Sequence, residues 1–231
     1  MQSFVALITI SVRLFFEKRK LRVSEDCPIL FCDNDLLVVG KPSGLLTVRG
    51  KGADKQDCLH ARLQAQFEEV RIIHRLDQDT SGLLVFARHL AAQQHLNKQF
   101  EQRLVNKHYI ALVYGHIAQM HGDIDAPLRY DPDHPPLHIV DYEQGQHALT
   151  QWQVIGRQAK ATRVLLKPIT GRSHQLRVHM QLLGHPIVGD TLYAPPEAIA
   201  LSPRLCLHAE TLEFNHPITL EPMSFSWPCP F

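Results

Sequence analysis

The chain has 231 residues, 45% of them hydrophobic and 20% charged, enough to bury one ordinary globular core and too apolar for a disordered or low-complexity protein. Its 24 Lys+Arg against 23 Asp+Glu leave a formal charge of +1, so bulk charge cannot drive nucleic-acid binding and any such contact must come from local patches. The 5 cysteines are odd in number and form no CxxC pair, which argues against a zinc site or a secreted disulfide framework and fits a reducing cytoplasm.

Phe4 to Phe16 is apolar but is interrupted by Arg13, and at about 13 residues it is shorter than the roughly 20 needed to cross a bilayer. Its basic residues Lys18, Arg19, Lys20 and Arg22 follow the apolar run rather than precede it, unlike a signal peptide. Residues 1–26 therefore read as an extension (an extra strand, a frayed arm or the product of an upstream start codon), and 27–231 as one domain with no membrane span.

Ile29 to Phe31 and Leu36 to Val39, around Asp33-Asn34-Asp35, predict a hairpin that leads into the loop Gly40-Lys41-Pro42-Ser43-Gly44. That loop superficially resembles a phosphate-binding loop, but Pro42 stands where Ser or Thr is needed, so it reads as a turn lining a cleft. Leu59, Leu63 and Phe67 at spacings of four predict a helix over 57–67 with Asp57 at its cap. His74 to Gly82 is a polar loop feeding the apolar strand Leu83 to Ala87, and Ala92, Leu96 and Phe100 mark the next helix. Tyr109 to Tyr114, Ala148 to Ile155 and Thr162 to Ile169 predict strands, and Asp131 to Pro136 an exposed loop.

After Thr170-Gly171-Arg172 a helix is expected, capped by Ser173, with Leu176, Met180 and Leu183 on its apolar face, Gly184 as its stop, and His174, Arg177 and Gln181 on another stripe. Thr211 to Phe214 and Ser224 to Trp227 are the last strands, giving a mixed α+β order. Between Gln151 and Gly189 lie Arg157, Lys160, Arg163, Lys167, Arg172 and Arg177 with no acid among them, whereas Asp123 to Glu143 is acidic; only the first is a candidate phosphate track, and a solvated face explains it equally well.

The densest polar cluster, His74-Arg75-Leu76-Asp77-Gln78-Asp79-Thr80-Ser81-Gly82, places a carboxylate between a basic pair and a small-residue turn, which suits either a catalyst or a well-capped loop. His74 to Gly82 resembles the HRLDxxTSG signature of the RluA family of pseudouridine synthases, and Gly171-Arg172-Ser173-His174-Gln175-Leu176-Arg177-Val178-His179 is similar to that family's GRxHQLRxH motif. Lys41-Pro42-Ser43-Gly44, Lys107-His108-Tyr109 and Leu183 to Ile187 with Gly189-Asp190 match in the same order, from about Ile29 onward, with the A-type enzymes the nearest in pattern.

The resemblance implies a pseudouridine synthase catalytic fold, a central mixed and mostly antiparallel sheet flanked by helices with an RNA-binding cleft. It implies isomerisation of uridine to pseudouridine in a stem-loop of 23S rRNA, a tRNA anticodon stem-loop, or both, without cofactor or metal and with structured RNA as the partner; a monomer is the default expectation. By position, Asp77 corresponds to the catalytic aspartate, acting as nucleophile or base, Tyr109 to the tyrosine that stacks on the target base, and Arg177 to the cation paired with the aspartate. Arg75, His74, Arg172, Lys41, Lys107 and Gln175 are the expected RNA-binding set, with a core hydrogen bond equally open to His74. Asp79 reads as a turn-stabilising acid. Two rivals remain: a glycoside hydrolase using Asp77 and Asp79 as paired carboxylates, and an RNA-binding module without catalysis. His174, His179 and His185 lack the HExxH spacing of a zinc helix.

Overall fold

The computed structural model describes residues 22–231; Met1 to Leu21, which hold most of the expected extension, lie outside the described residues. Arg22–Ser24 (β1) is a short strand paired with Cys27–Cys32 (β2), so this part of the extension joins the sheet. β2 and Leu36–Lys41 (β3) form the first hairpin, whose turn is closed by Asp33 Oδ1 accepting the Asp35 and Leu36 amides at 2.8 Å each.

Then follow Leu59–Gln64 (α1), Arg71–Ile72 (β4), Ser81–Ala87 (β5), Leu90–Glu101 (α2), Asn106–Tyr114 (β6), His121–Asp125 (β7), Leu128–Tyr130 (β8), His138–Val140 (β9), Leu149–Arg157 (β10), Ala161–Pro168 (β11), Gln175–Leu182 (α3), Pro196–Ile199 (α4), Leu207–Asn215 (β12) and Pro222–Ser226 (β13). One sheet runs β1-β2-β3-β5-β12-β6-β11-β10-β7, with β13 paired to β12 and β4 to β5, while β8 and β9 form a separate hairpin. Among the strand pairs of the described residues only β5 with β12 is parallel.

The sheet has two differently built halves. β3 and β5 are buried throughout, with apolar runs at Leu36–Val39 and Leu83–Ala87, because both faces are covered: Leu37, Val39, Leu84 and Phe86 pack with Leu59 and Leu63 of α1, while Leu36, Val38, Leu83 and Val85 pack with Ala92 and Leu96 of α2. In β10 and β11 burial alternates, since Trp152, Val154, Val164 and Leu166 join the core that Leu176 and Met180 of α3 cover, and Gln151 and Gln153 stand exposed.

Three local expectations are corrected. α1 starts at Leu59 with Cys58 as its cap, whose Sγ accepts the Ala61 amide, because Asp57 is instead in an ion pair with Arg62 at 2.7 Å. α3 begins after His174, not Ser173, and Gly184 ends it as expected, with φ +82°. Its polar stripe divides, since Arg177 is buried and Gln181 exposed. The edge strand β7 was not anticipated: of His121-Gly122-Asp123-Ile124-Asp125 only Ile124 points inward, too little alternation to register.

Candidate active site

The loop between β4 and β5 carries Asp77, and the segment after β3 holds that loop in place. Thr47 Oγ1 donates to the Leu76 carbonyl at 2.8 Å and accepts its amide at 3.2 Å, the Gly44 amide reaches the Gln78 carbonyl at 2.9 Å, and Ser43 Oγ reaches the Asp79 carbonyl at 2.6 Å. Lys41 is fully buried and donates to the Pro42, Leu45 and Gln78 carbonyls at 2.9, 2.7 and 2.8 Å. The expectation that Lys41 binds RNA is therefore corrected: its three N–H bonds are spent on backbone oxygens and none faces solvent. Burial draws its pKa down to about 7, against the pull of Asp77 and Asp79.

Across the sheet, α3 brings Arg177 up to the same loop. Arg177 is 2% exposed and donates to the carboxylate of the fully buried Asp190, Nε to Oδ2 at 2.8 Å and Nη2 to Oδ1 at 2.6 Å. Its remaining nitrogen, Nη1, lies 4.0 Å from Asp77 Oδ2, and Asp77 keeps a quarter of its side chain exposed. Burial works against the guanidinium's charge, but the Asp190 hydrogen bonds and the charges of Asp190 and Asp77 outweigh it, so its pKa rises. Arg177 is thus a fixed cation with one free face, turned toward Asp77.

Asp77, Tyr109 and Arg177 line one cavity of about 330 Å³, together with His74, Arg75, Lys107, Arg172, His174 and Gln175. Tyr109, in the middle of β6, has its pKa raised by burial and then by the Asp77 charge, so it is a neutral phenol there. Arg75 and Arg172 are exposed, and Arg75 Nη2 reaches Ser173 Oγ at 3.5 Å, joining the two lips of the cavity. Lys107 is half-buried over the Phe100 ring, 5.7 Å from its centroid.

Two more of the expected RNA contacts turn inward. Gln175 is 3% exposed; its Oε1 accepts Thr170 Oγ1 at 2.8 Å and the Arg172 amide at 3.0 Å, and its Nε2 donates to the Leu149 carbonyl and Thr150 Oγ1. With every polar atom occupied, it braces the cavity wall instead of presenting an amide to RNA. His74 accepts the Val85 amide at Nε2 (3.1 Å) and stacks on Phe100 at 4.7 Å, so of its two readings the core hydrogen bond is the one found. Burial, then the Lys107 charge, pushes its pKa down to about 3.

Asp79 does not line the cavity. Its side chain accepts no hydrogen bond among the described residues, so the expected Asx turn is not what shapes the loop, and the paired-carboxylate rival lacks its second acid. The basic run also fails to form a track: Arg177 is buried, Arg163 packs over the Phe231 ring, and Arg157 donates to the Ile117 carbonyl. Lys167 lies on the opposite face of the sheet, in a shallower depression of about 270 Å³ with His108, Asp123 and Gln151. That depression has no carboxylate–guanidinium pair.

The sequence pattern gave no role to Asp190, although Gly189-Asp190 was part of the resemblance, and none to Tyr193 or His138. Tyr193 is 7% exposed, accepts the His138 amide at 2.9 Å and lies 2.6 Å from His174 Nδ1. A possible metal cluster of Asp33, Asp35 and His216 is explained by hydrogen bonds: His216 Nδ1 accepts the Ile218 and Thr219 amides, so Nε2 carries the hydrogen that meets Asp33 Oδ2 at 2.9 Å and is not a free ligand atom.

Residues 35–182 match the family described as RNA pseudouridylate synthase. The chain is similar to the dual-specificity RNA pseudouridine synthase RluA of Pasteurella multocida, 48% identical over 204 residues that cover 88% of this chain and 93% of the relative. It is likewise similar to that of Escherichia coli K12, 47% identical over 204 residues with the same coverage. Among solved structures, human RNA pseudouridylate synthase domain containing 1 superposes with a TM-score of 0.75 at 32% identity, over 90% of this chain and 85% of the other.

Proposed function

Since the chain belongs to the RNA pseudouridylate synthase family, we propose that it isomerises uridine to pseudouridine in RNA with Asp77 as the nucleophile or base, Arg177 as its charge partner and Tyr109 as the platform for the everted uracil. The observation that carries the assignment is the shared cavity, in which Arg177 Nη1 stands 4.0 Å from a partly exposed Asp77 carboxylate. A fixed guanidinium favours the ionised carboxylate that must attack the sugar or take its proton.

Reaching a base inside a folded RNA requires flipping the nucleotide out at a cost of a few kcal/mol. Stacking on an aromatic ring offsets on the order of 1–3 kcal/mol of it, which is the task assigned to Tyr109. The exchange of an N–C for a C–C glycosidic bond within one nucleotide consumes no external electron or group donor. Arg75, Arg172 and Lys107 stand around the cavity as contacts for the RNA backbone.

The relatives' dual specificity supports two substrates, a 23S rRNA hairpin loop and a tRNA anticodon stem-loop, each read by shape and splayed bases. In this reading residues 27–231 act as a single catalytic domain, a monomer working in the cytoplasm. The test is purified protein with separate rRNA and tRNA stem-loops and a chemical readout for pseudouridine. Wild type converts both; Asp77→Asn converts neither yet still binds RNA. Full activity of Asp77→Asn would overturn the assignment.

A further inference from the structure

One side chain in the cavity, His174, has no place in the chemistry described so far, although the fold fixes it closely. It sits at the N-terminal cap of α3 with φ 54°, in the left-handed region that costs a residue with a Cβ on the order of 1 kcal/mol. Its side chain makes no capping bond there. Instead the ring turns edge-on to Tyr193, with Nδ1 2.6 Å from the phenol oxygen and the ring planes at 85°.

The tautomer follows from the neighbours. Tyr193 Oη already accepts the His138 backbone N–H at 2.9 Å, and burial raises the phenol's pKa to about 12, so its own proton stays and is directed at His174 Nδ1. Burial, with Arg177 and His138 nearby, holds the imidazole neutral against the pull of Asp77. A neutral imidazole that accepts at Nδ1 carries its hydrogen on Nε2. Nε2 has no partner among the described residues and is not sealed from solvent, and the ring lines the same cavity as Asp77, Tyr109 and Arg177.

We propose that His174 is a further catalytic residue, whose Nε2–H donates a hydrogen bond to a carbonyl oxygen of the uracil as it departs from the sugar. This rests on the reading of the cavity as the uridine site. When the N1–C1′ bond breaks, its electron pair goes to the uracil and spreads over N1 and the two carbonyl oxygens. The Nε2–H bond stabilises that charge without transferring a proton. The anion then bonds C1′ through C5, C5 gives up its proton and N1 gains one, so the nucleotide ends with the atoms it began with. A neutral donor inside the cavity fits a base carbonyl, whereas phosphates meet the exposed guanidiniums of Arg75 and Arg172.

Glutamine at 174 keeps an N–H near the Nε2 position, while the shorter asparagine keeps polar atoms only near Nδ1. Single-turnover conversion of a stem-loop RNA is measured for His174→Gln, His174→Asn and Tyr193→Phe, with RNA Kd and thermal unfolding of each. Loss of one such donor lowers the chemical step on the order of 100-fold, so the asparagine variant is slowed to that extent and the glutamine variant about tenfold less, with Kd changed less than about twofold. Tyr193→Phe, which no longer fixes the tautomer, is slowed with Kd unchanged and decides the matter should the asparagine variant unfold. Equal rates for the asparagine and glutamine variants, a loss confined to Kd, or a wild-type rate in Tyr193→Phe overturns the role of His174 and leaves the function standing. A wild-type protein that leaves uridine unchanged overturns both.

Discussion

Arg177 is held by two carboxylates of different kinds: Asp190, fully buried and bidentate, and Asp77, 4.0 Å away at the edge of solvent. The first fixes the orientation of the guanidinium, and the second faces its remaining nitrogen. Removing one partner of a buried ion pair leaves the other uncompensated, at a cost of about 3–5 kcal/mol. Asp190→Ala should therefore lose stability of that order in urea unfolding, and a loss under about 1 kcal/mol would show that the pair is not what anchors α3. That Asp77, Tyr109 and Arg177 lie together was legible in the sequence through the motifs that carry the resemblance, and the fold brings all three to one cavity. Lys41 and Gln175 were misassigned, and His74 left open between two readings, for a shared reason: whether a polar side chain faces RNA or the backbone depends on partners well removed in sequence, Gln78, Leu149 and Val85.

At the scale of elements, the parallel pairing of β5 and β12 depends on a single absent side chain. Gly82 has φ +129°, and a Cβ there would lie 2.4 Å from both the amide nitrogen and the carbonyl oxygen of Ala209. Gly82→Ala combines backbone strain with a steric clash inside the sheet, so it should destabilise by more than about 3 kcal/mol. Denaturant midpoints of the two proteins check this, and a variant as stable as wild type would mean that the strands separate freely. The sequence marks Gly82 as part of a small-residue turn, but the reason for it is a contact with a strand more than a hundred positions later. Hairpins and the apolar runs of β3 and β5 were readable because period and turn chemistry agree; β7 is polar, and β8 and β9 have 3 residues each, too few to show a period.

For the whole molecule, buried histidines set the acid limit. His74 has its pKa near 3 in the fold, against 6.5 for the free side chain, and burial lowers His179 and His208 in the same direction. Below pH 6.5 the unfolded chain takes up protons that the folded chain refuses, so stability is full above that pH and falls as pH drops toward 3, with His74 contributing up to about 1.4 kcal/mol per pH unit. His74→Gln, which can still accept the Val85 amide, should flatten the slope in unfolding measured from pH 7 to pH 4. An unchanged slope would mean that His74 titrates normally.

The sheet's central member, β12, is made after every other strand of its path, since β5 and β6 on either side of it precede it by about a hundred residues. Until it is in place the Asp77 loop belongs to one block of strands and Tyr109 and Arg177 to another, with no ladder between them. The loop that carries Asp77 and the strand that carries Tyr109 are thus joined through the sheet only once residues 207–215 have been made.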